Sequence, residues 1–219
     1  MDWFPVLLSL KVAGWATLAA LLSGVPLAWL LARKKPHGAA LISSLVTLPM
    51  VLPPTVLGYY LLVLIGRQGF LGRLLAQSFG INLVFTWQGA VLAATLVSLP
   101  LLVHTVQAGL EGVDREMEDV ARTLGRSEPA VFLTVTLPLA WPSLLAGMVL
   151  AFTRAMGEFG ATLMVAGNIP GKTQTLSIAI YDAVQSGNTV LANTLVALVS
   201  GLTFLALLLL HRITLKRLI

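Results

Sequence analysis

Residues 109–142 read GLEGVDREMEDVARTLGRSEPAVFLTVTLPLAWP, and they interrupt an otherwise apolar chain. Six of the nine acidic residues lie here: Glu111, Asp114, Glu116, Glu118, Asp119 and Glu128. Hydrocarbon cannot hold that density of charge, so the stretch must sit in water between hydrophobic segments. Its apolar residues are nevertheless ordered. Val113, Met117, Val120, Ala121 and Leu124 fall at i, i+4, i+7, i+8 and i+11, one stripe of an α-helix. Gly125 is the expected stop. Ser127 is placed to cap a second short helix with Glu128 and Pro129 in its first turn. The pattern predicts helix–Gly–helix. Such an amphipathic helix has three uses: packing on its own spans, lying on lipid, or filling a partner's groove. Its acidic balance disfavours lipid, and periodicity leaves the other two open.

Composition sets the class of the remainder. Of 219 residues, 57% are hydrophobic and 11% charged, against roughly a quarter charged in soluble domains. A polytopic membrane protein needs that apolar excess, because its helices face lipid and one another. The chain has no cysteine, which excludes disulfide frameworks and thiolate metal sites. The net charge of +5 would suggest nucleic acid in a soluble chain. Here the basic residues flank hydrophobic runs, so membrane topology accounts for them and no nucleic-acid partner is expected. The N-terminus lacks a basic leader and runs straight into a long span, so no cleaved signal is expected.

The fold class read from this pattern is all-α: a polytopic transmembrane bundle. The expected spans are 5–32, 39–65, 89–108, 142–166 and 189–210, with a cytoplasmic loop at 111–138, all within one domain, 1–219. A sixth element would arise if residues 68–84 or 173–186 re-entered the bilayer. On this layout nine Lys and Arg residues lie inside (Arg33, Lys34, Lys35, Arg115, Arg122, Arg126, Arg212, Lys216 and Arg217). Four lie outside: Lys11, Arg67, Arg73 and Lys172. That bias puts the N-terminus outside and the C-terminus in the cytoplasm.

Two further constellations stand out. Pro49, Pro53 and Pro54 interrupt the second span, which must kink or break there. Pro53 and Pro54 are therefore either part of a pathway wall or a packing kink. Arg154 and Glu158 stand four apart in the fourth span, with Gly157 and Gly160 beside them. They can pair on one helix face, as a gate for an anion or as a charge pair that fixes packing. Gly157 and Gly160 would admit a neighbouring helix. The run AGNIPGKT (166–173) imitates a phosphate loop, but it follows a span rather than a strand and Pro170 removes a donor, so it predicts no nucleotide site. His37, His104 and His211 show no metal-ligand spacing. No paired-carboxylate or nucleophile motif is present, which argues against an embedded enzyme.

The spacing Asp119-Val120-Ala121, three residues, Gly125, nine residues, Val135, one residue, Leu137-Pro138 resembles the EAA loop of ABC-importer permeases. Asp, Val and Val replace Glu, Ala and Ile. Arg154-Ala155-Met156-Gly157-Glu158-Phe159-Gly160-Ala161-Thr162, Gly167 to Thr175, and Leu48 to Pro54 followed by Gly58-Tyr59 look like the molybdate and sulfate branch. The resemblance implies a type I ABC-importer permease fold in the inner membrane. It implies docking of an ATPase through Glu118, Asp119, Val120, Ala121, Gly125, Leu137 and Pro138. It also implies a homodimer, two ATPase subunits that carry ATP and Mg, and an extracytoplasmic molybdate-binding protein. This chain would bind no cofactor or metal and would not itself be an enzyme. The implied cargo is molybdate or tungstate, with sulfate or thiosulfate as the alternative within the family. An ATP-independent carrier is the alternative outside it.

Overall fold

The computed structural model describes residues 2–34 and 36–215, and among these every regular element is helical. The all-α expectation holds. Helix α1 (Phe4–Trp29) opens with Pro5 in its first turn, where a missing N–H costs nothing, and Asp2 accepts the Phe4 N–H at 2.9 Å. It runs on through a π-helical turn, Leu30–Lys34. There follow α2 (Ala39–Val51), α3 (Pro54–Ile65), α4 (Phe70–Phe79) and α5 (Trp87–Glu111). The acidic segment forms α6 (Arg115–Thr123), α7 (Glu128–Val131), a second π turn (Phe132–Thr136) and α8 (Leu137–Leu139). The chain closes with α9 (Trp141–Met156), α10 (Gly160–Ala166), α11 (Leu176–Gln185) and α12 (Thr189–Leu215).

Among the described residues three stretches are long and apolar enough to cross a bilayer: Phe4–Lys34, Trp87–Glu111 and Thr189–Leu208. Two bent pairs raise the number to as many as five. They are Ala39–Val51 with Pro54–Ile65, meeting at 112°, and Glu128–Leu139 with Trp141–Met156, meeting at 75°.

The core is formed where α1, α5 and α9 pack together. Small residues line the contact: Ala13, Ala16, Ala20 and Ala28 on α1, Ala90 and Ala94 on α5, Ala151 and Ala155 on α9, all buried. Without a hydrophobic drive between helices in lipid, close backbone approach supplies the attraction, and small side chains permit it. Larger buried residues, Leu102, Val103, Val106, Leu110 and Leu144, fill the end of this core nearest the acidic segment. A second contact sets α10 on α3. It depends on Gly58, where a Cβ would come within 2.5 Å of the Met164 Cβ.

One expectation is made definite and two change. The second span, 39–65, is two helices, because Leu52 and Pro53 each precede a proline and are held extended, with ψ of 144° and 136°. A lone proline is absorbed instead: Pro26, Pro49 and Pro100 all lie inside helices. The fourth span, 142–166, breaks after Met156 into α9 and α10. Residues 66–88 and 167–188 contain α4 and α11, of 10 residues each. Such helices reach about 15 Å, half a hydrocarbon core of about 30 Å, so neither crosses alone. Lys35, Lys216 and Arg217, counted in the charge bias, lie outside the described residues.

Candidate functional site

Local chemistry explains why α6 begins and ends where it does. Asp114 is its N-cap, its carboxylate accepting the Glu116 N–H at 3.0 Å. At the other end Gly125 takes φ +82°, the left-handed conformation that a Cβ would oppose. The Gly125 N–H donates to the Arg122 carbonyl at 2.9 Å, and the Arg126 N–H to the Ala121 carbonyl at 3.2 Å. Those two bonds form a Schellman motif, so the glycine stop is a structural device. Ser127 occupies the N-cap position of α7, but its side chain makes no capping bond.

The apolar stripe divides in two. Met117, Val120 and Leu124 stand 54%, 59% and 78% exposed. Ala121 is buried, and so is Val113, just before the helix. The inward residue of the helix centre is Glu118, 2% exposed. Of the positions expected to meet a partner, Asp119, Val120, Gly125 and Pro138 are exposed, Leu137 is half-buried, and Glu118 and Ala121 face inward. The helix thus turns an apolar row outward, with no described element covering it, and turns a carboxylate inward.

Glu118 is the centre of a polar cluster. Arg33 Nη2 lies 2.9 Å from its Oε1, and the Thr136 hydroxyl donates to the same oxygen at 2.7 Å. Arg122 approaches its other oxygen at 3.5 Å. Arg33 also donates to the Val113 carbonyl at 3.1 Å, while its Nε is buried without a partner. At the surface Arg122 bonds Glu128 at 2.7 Å and Asp119 at 2.6 Å. The Glu128 bond, then the Asp119 bond, raises the pKa of Arg122, and the Arg122 hydrogen bond holds the Glu128 carboxyl below its usual range. Neither Arg33 nor Thr136 was marked as a site residue by spacing. Arg33 showed only as a charge after a span.

Arg154 and Glu158 do pair, at 2.9 Å. They do not share a helix, since α9 stops at Met156. Glu158 lies in the break, 3% exposed, and its other oxygen accepts the Ala161 N–H at 3.0 Å in the first turn of α10. Gly160 does admit a neighbour: its added Cβ would stand 2.8 Å from the Pro54 Cβ. Gly157 meets only its own helix. Pro53 and Pro54 are exposed at the α2–α3 corner, so the corner and the α9–α10 break face each other across that contact.

The loop 166–173 spends its donors on itself. The N–H groups of Lys172, Thr173 and Gln174 all point to the Ile169 carbonyl, and the Ile169 N–H meets the Thr173 hydroxyl. Asn168 and Gln174 bond Asp182 of α11. No cradle for phosphate remains. His104 Nε2 meets the Thr47 hydroxyl at 2.8 Å, tying α5 to α2. Among the described residues no group of His, Asp and Glu could hold a metal ion.

Known proteins resemble the chain at two levels. A family model described as binding-protein-dependent transport system inner membrane component matches residues 24–218. The molybdenum transport system permease protein ModB of Escherichia coli K12 is 51% identical over 185 residues, 84% of this chain and 81% of that one. The sulfate transport system permease protein CysT of Salmonella typhimurium is 39% identical over 184 residues, 84% of this chain and 66% of that one. In structure, an inward-facing MetNI methionine ABC transporter chain superposes with a TM-score of 0.75 at 18% identity, covering 99% of this chain and 97% of that chain. The structural likeness extends to the fold.

Proposed function

This chain belongs to the family of binding-protein-dependent transport system inner membrane components, and from that premise we propose that it is the permease subunit of an ATP-driven molybdate or tungstate importer. The observation that carries the cargo is the 51% identity to a molybdenum permease over most of both chains. The observation that carries the drive is α6, a short capped helix that offers Met117, Val120 and Leu124 outward.

In this reading residues 1–219 form one transmembrane unit that pairs with a second copy. Two ATPase subunits, holding ATP and Mg, dock on the cytoplasmic side, and a molybdate-binding protein docks outside. ATP closes the ATPase pair, α6 moves with it, and the bundle exchanges an inward-open for an outward-open state. A nucleotide can bias such a bistable element only by binding one state better. The N-terminus lies outside, as the charge bias suggests. The docking surface is the exposed row with Asp119, while Glu118 and Ala121 hold the helix from behind.

Sulfate is the second reading, favoured by the 39% identity to a sulfate permease. The deciding experiment is uptake of labelled molybdate into vesicles that hold the chain with its ATPase and binding protein. ATP-dependent uptake blocked by tungstate and untouched by sulfate supports the first reading. Uptake of sulfate instead supports the second. Uptake of either anion without ATP removes the ATPase altogether. Val120→Glu puts a charge in the centre of the exposed row, and binding of the ATPase subunit should fall at least about tenfold, the weight of one well-packed interface anchor.

A further inference from the structure

The chain joins α6 to α5 and α9, yet α6 is not built onto either. Its contacts run chiefly to the second π turn and α7, and two glycines, Gly112 and Gly125, flank it. The firmest tie from α6 to the bundle is the Glu118 carboxylate, and its partners come from far away. Arg33 lies 85 positions earlier in the sequence, at the end of α1, and Thr136 lies 18 positions later.

Both partners sit on π-helical turns. Leu30–Lys34 carries Arg33 and Phe132–Thr136 carries Thr136. A π turn inserts one residue into a helix and rotates everything beyond it by about 100°, the step of one α-helical residue. The described chain has π geometry at these two places, and both deliver a donor to one carboxylate. The pair itself is largely screened from water: the side chains of Arg33 and Glu118 are 9% and 3% exposed. Pulling these buried opposite charges apart would leave Arg33 without a carboxylate and Glu118 with only the more distant Arg122, so the pair moves together.

We propose that Glu118 is a positioning residue that locks α6 to the end of α1 through Arg33 and Thr136, making α1 the lever that the docked ATPase moves. The proposal rests on the reading of α6 as the docking helix. Its consequence is that the first helix of the chain receives the stroke directly, through Arg33, beside the path through the second π turn that continues into α8 and α9.

The test uses the complete transporter in liposomes, with three readings on each variant: ATPase-subunit binding, ATP hydrolysis, and molybdate imported per ATP. Glu118→Gln keeps side-chain volume, Arg33→Gln gives a shorter neutral amide, and each removes one charge. Each should bind the ATPase within about twofold of the parent and still hydrolyse ATP, while import per ATP falls about tenfold, within the usual range of coupling between sites. Arg33→Lys keeps the charge and should retain most of the ratio. Thr136→Val, the mildest change, should lower it about threefold, the low end for loss of one hydrogen bond, because Arg33 and Arg122 still hold the carboxylate. An unchanged ratio in both glutamine variants overturns the lever. Loss of ATPase binding in both also overturns it, by placing Glu118 in the docking surface itself. Failure of the unaltered chain to bind an ATPase removes the docking reading and the lever with it, and is recognised because no variant is needed to see it.

Discussion

Glu118 and Glu158 are both buried carboxylates held by an arginine at 2.9 Å, but they belong to different kinds of structure. Glu158 finds its partners within four residues: Arg154 before it and the Ala161 N–H after it. Glu118 draws on α1, the second π turn and its own helix. Its arginine is nearly enclosed, whereas the Arg154 side chain is 35% exposed. A local pair fixes a bend in one strand of the fold. A long-range one fixes how separate elements move together.

The comparison is broken most directly by truncation. Glu118→Ala strands Arg33 in a closed site and should cost about 3–5 kcal/mol of stability, the usual penalty for half a buried pair. Thermal unfolding in detergent reads it, and a loss under about 1 kcal/mol would mean that water already reaches the cluster. Glu158→Ala should cost less, about 1–3 kcal/mol, because it removes an end cap and leaves an arginine that is already partly exposed. Equal losses at the two positions would erase the distinction drawn here.

A charge reversal sharpens it. Arg154→Glu with Glu158→Arg should recover more transport than either single reversal, since both partners lie on one short segment. The same exchange at Arg33 and Glu118 should recover little, because Thr136 and the Val113 carbonyl are placed for a carboxylate on α6 and a cation on α1. Gly125→Ala should cost about 1–2 kcal/mol, the penalty for a side chain in left-handed backbone, by loosening the stop of α6. The smallest effect is at the surface. Glu128 has its pKa lowered by Arg122, so its contribution is present above the ordinary glutamate value of about 4.3 and is lost as pH falls through its lower folded value. Stability should therefore be flat from about pH 6 to 8 with respect to this pair, and added salt should weaken it. A fall in stability across that range in the parent, absent in Glu128→Gln, would contradict the assignment.

The legible parts of the site share one property: they depend on near neighbours. Asp114 and Gly125 bound α6 through bonds that span two to five residues, and Arg154 reaches Glu158 across four. The stripe of Val113, Met117, Val120, Ala121 and Leu124 was also visible, but not which of its members would turn outward. Periodicity defines a face and leaves open what that face meets. The resemblance puts Glu118 among the docking residues, yet it faces inward. Its burial follows from Arg33 arriving alongside, and no local pattern announces that meeting.

The proline corner shows the same division. Pro49, Pro53 and Pro54 called for a kink or break, and the structure puts it at Leu52 and Pro53, because a residue before proline is driven out of helical backbone. The angle of 112° and the seating of α10 against α3 could not be read, since both depend on Gly58 and Gly160 meeting residues about a hundred positions away or more.

From the sequence alone came the class of the protein, the order of its apolar segments, the helix and stop of the acidic loop, and the resemblance that pointed to a family of permeases. These rest on composition, period and backbone preference, which act within a few residues. Only the tertiary structure decided that the fourth expected span breaks after Met156, that Met117, Val120 and Leu124 remain open to a partner, and that Glu118 is clamped to Arg33. Those are outcomes of packing among segments distant in the chain, where burial and pairing of charge are settled by shape.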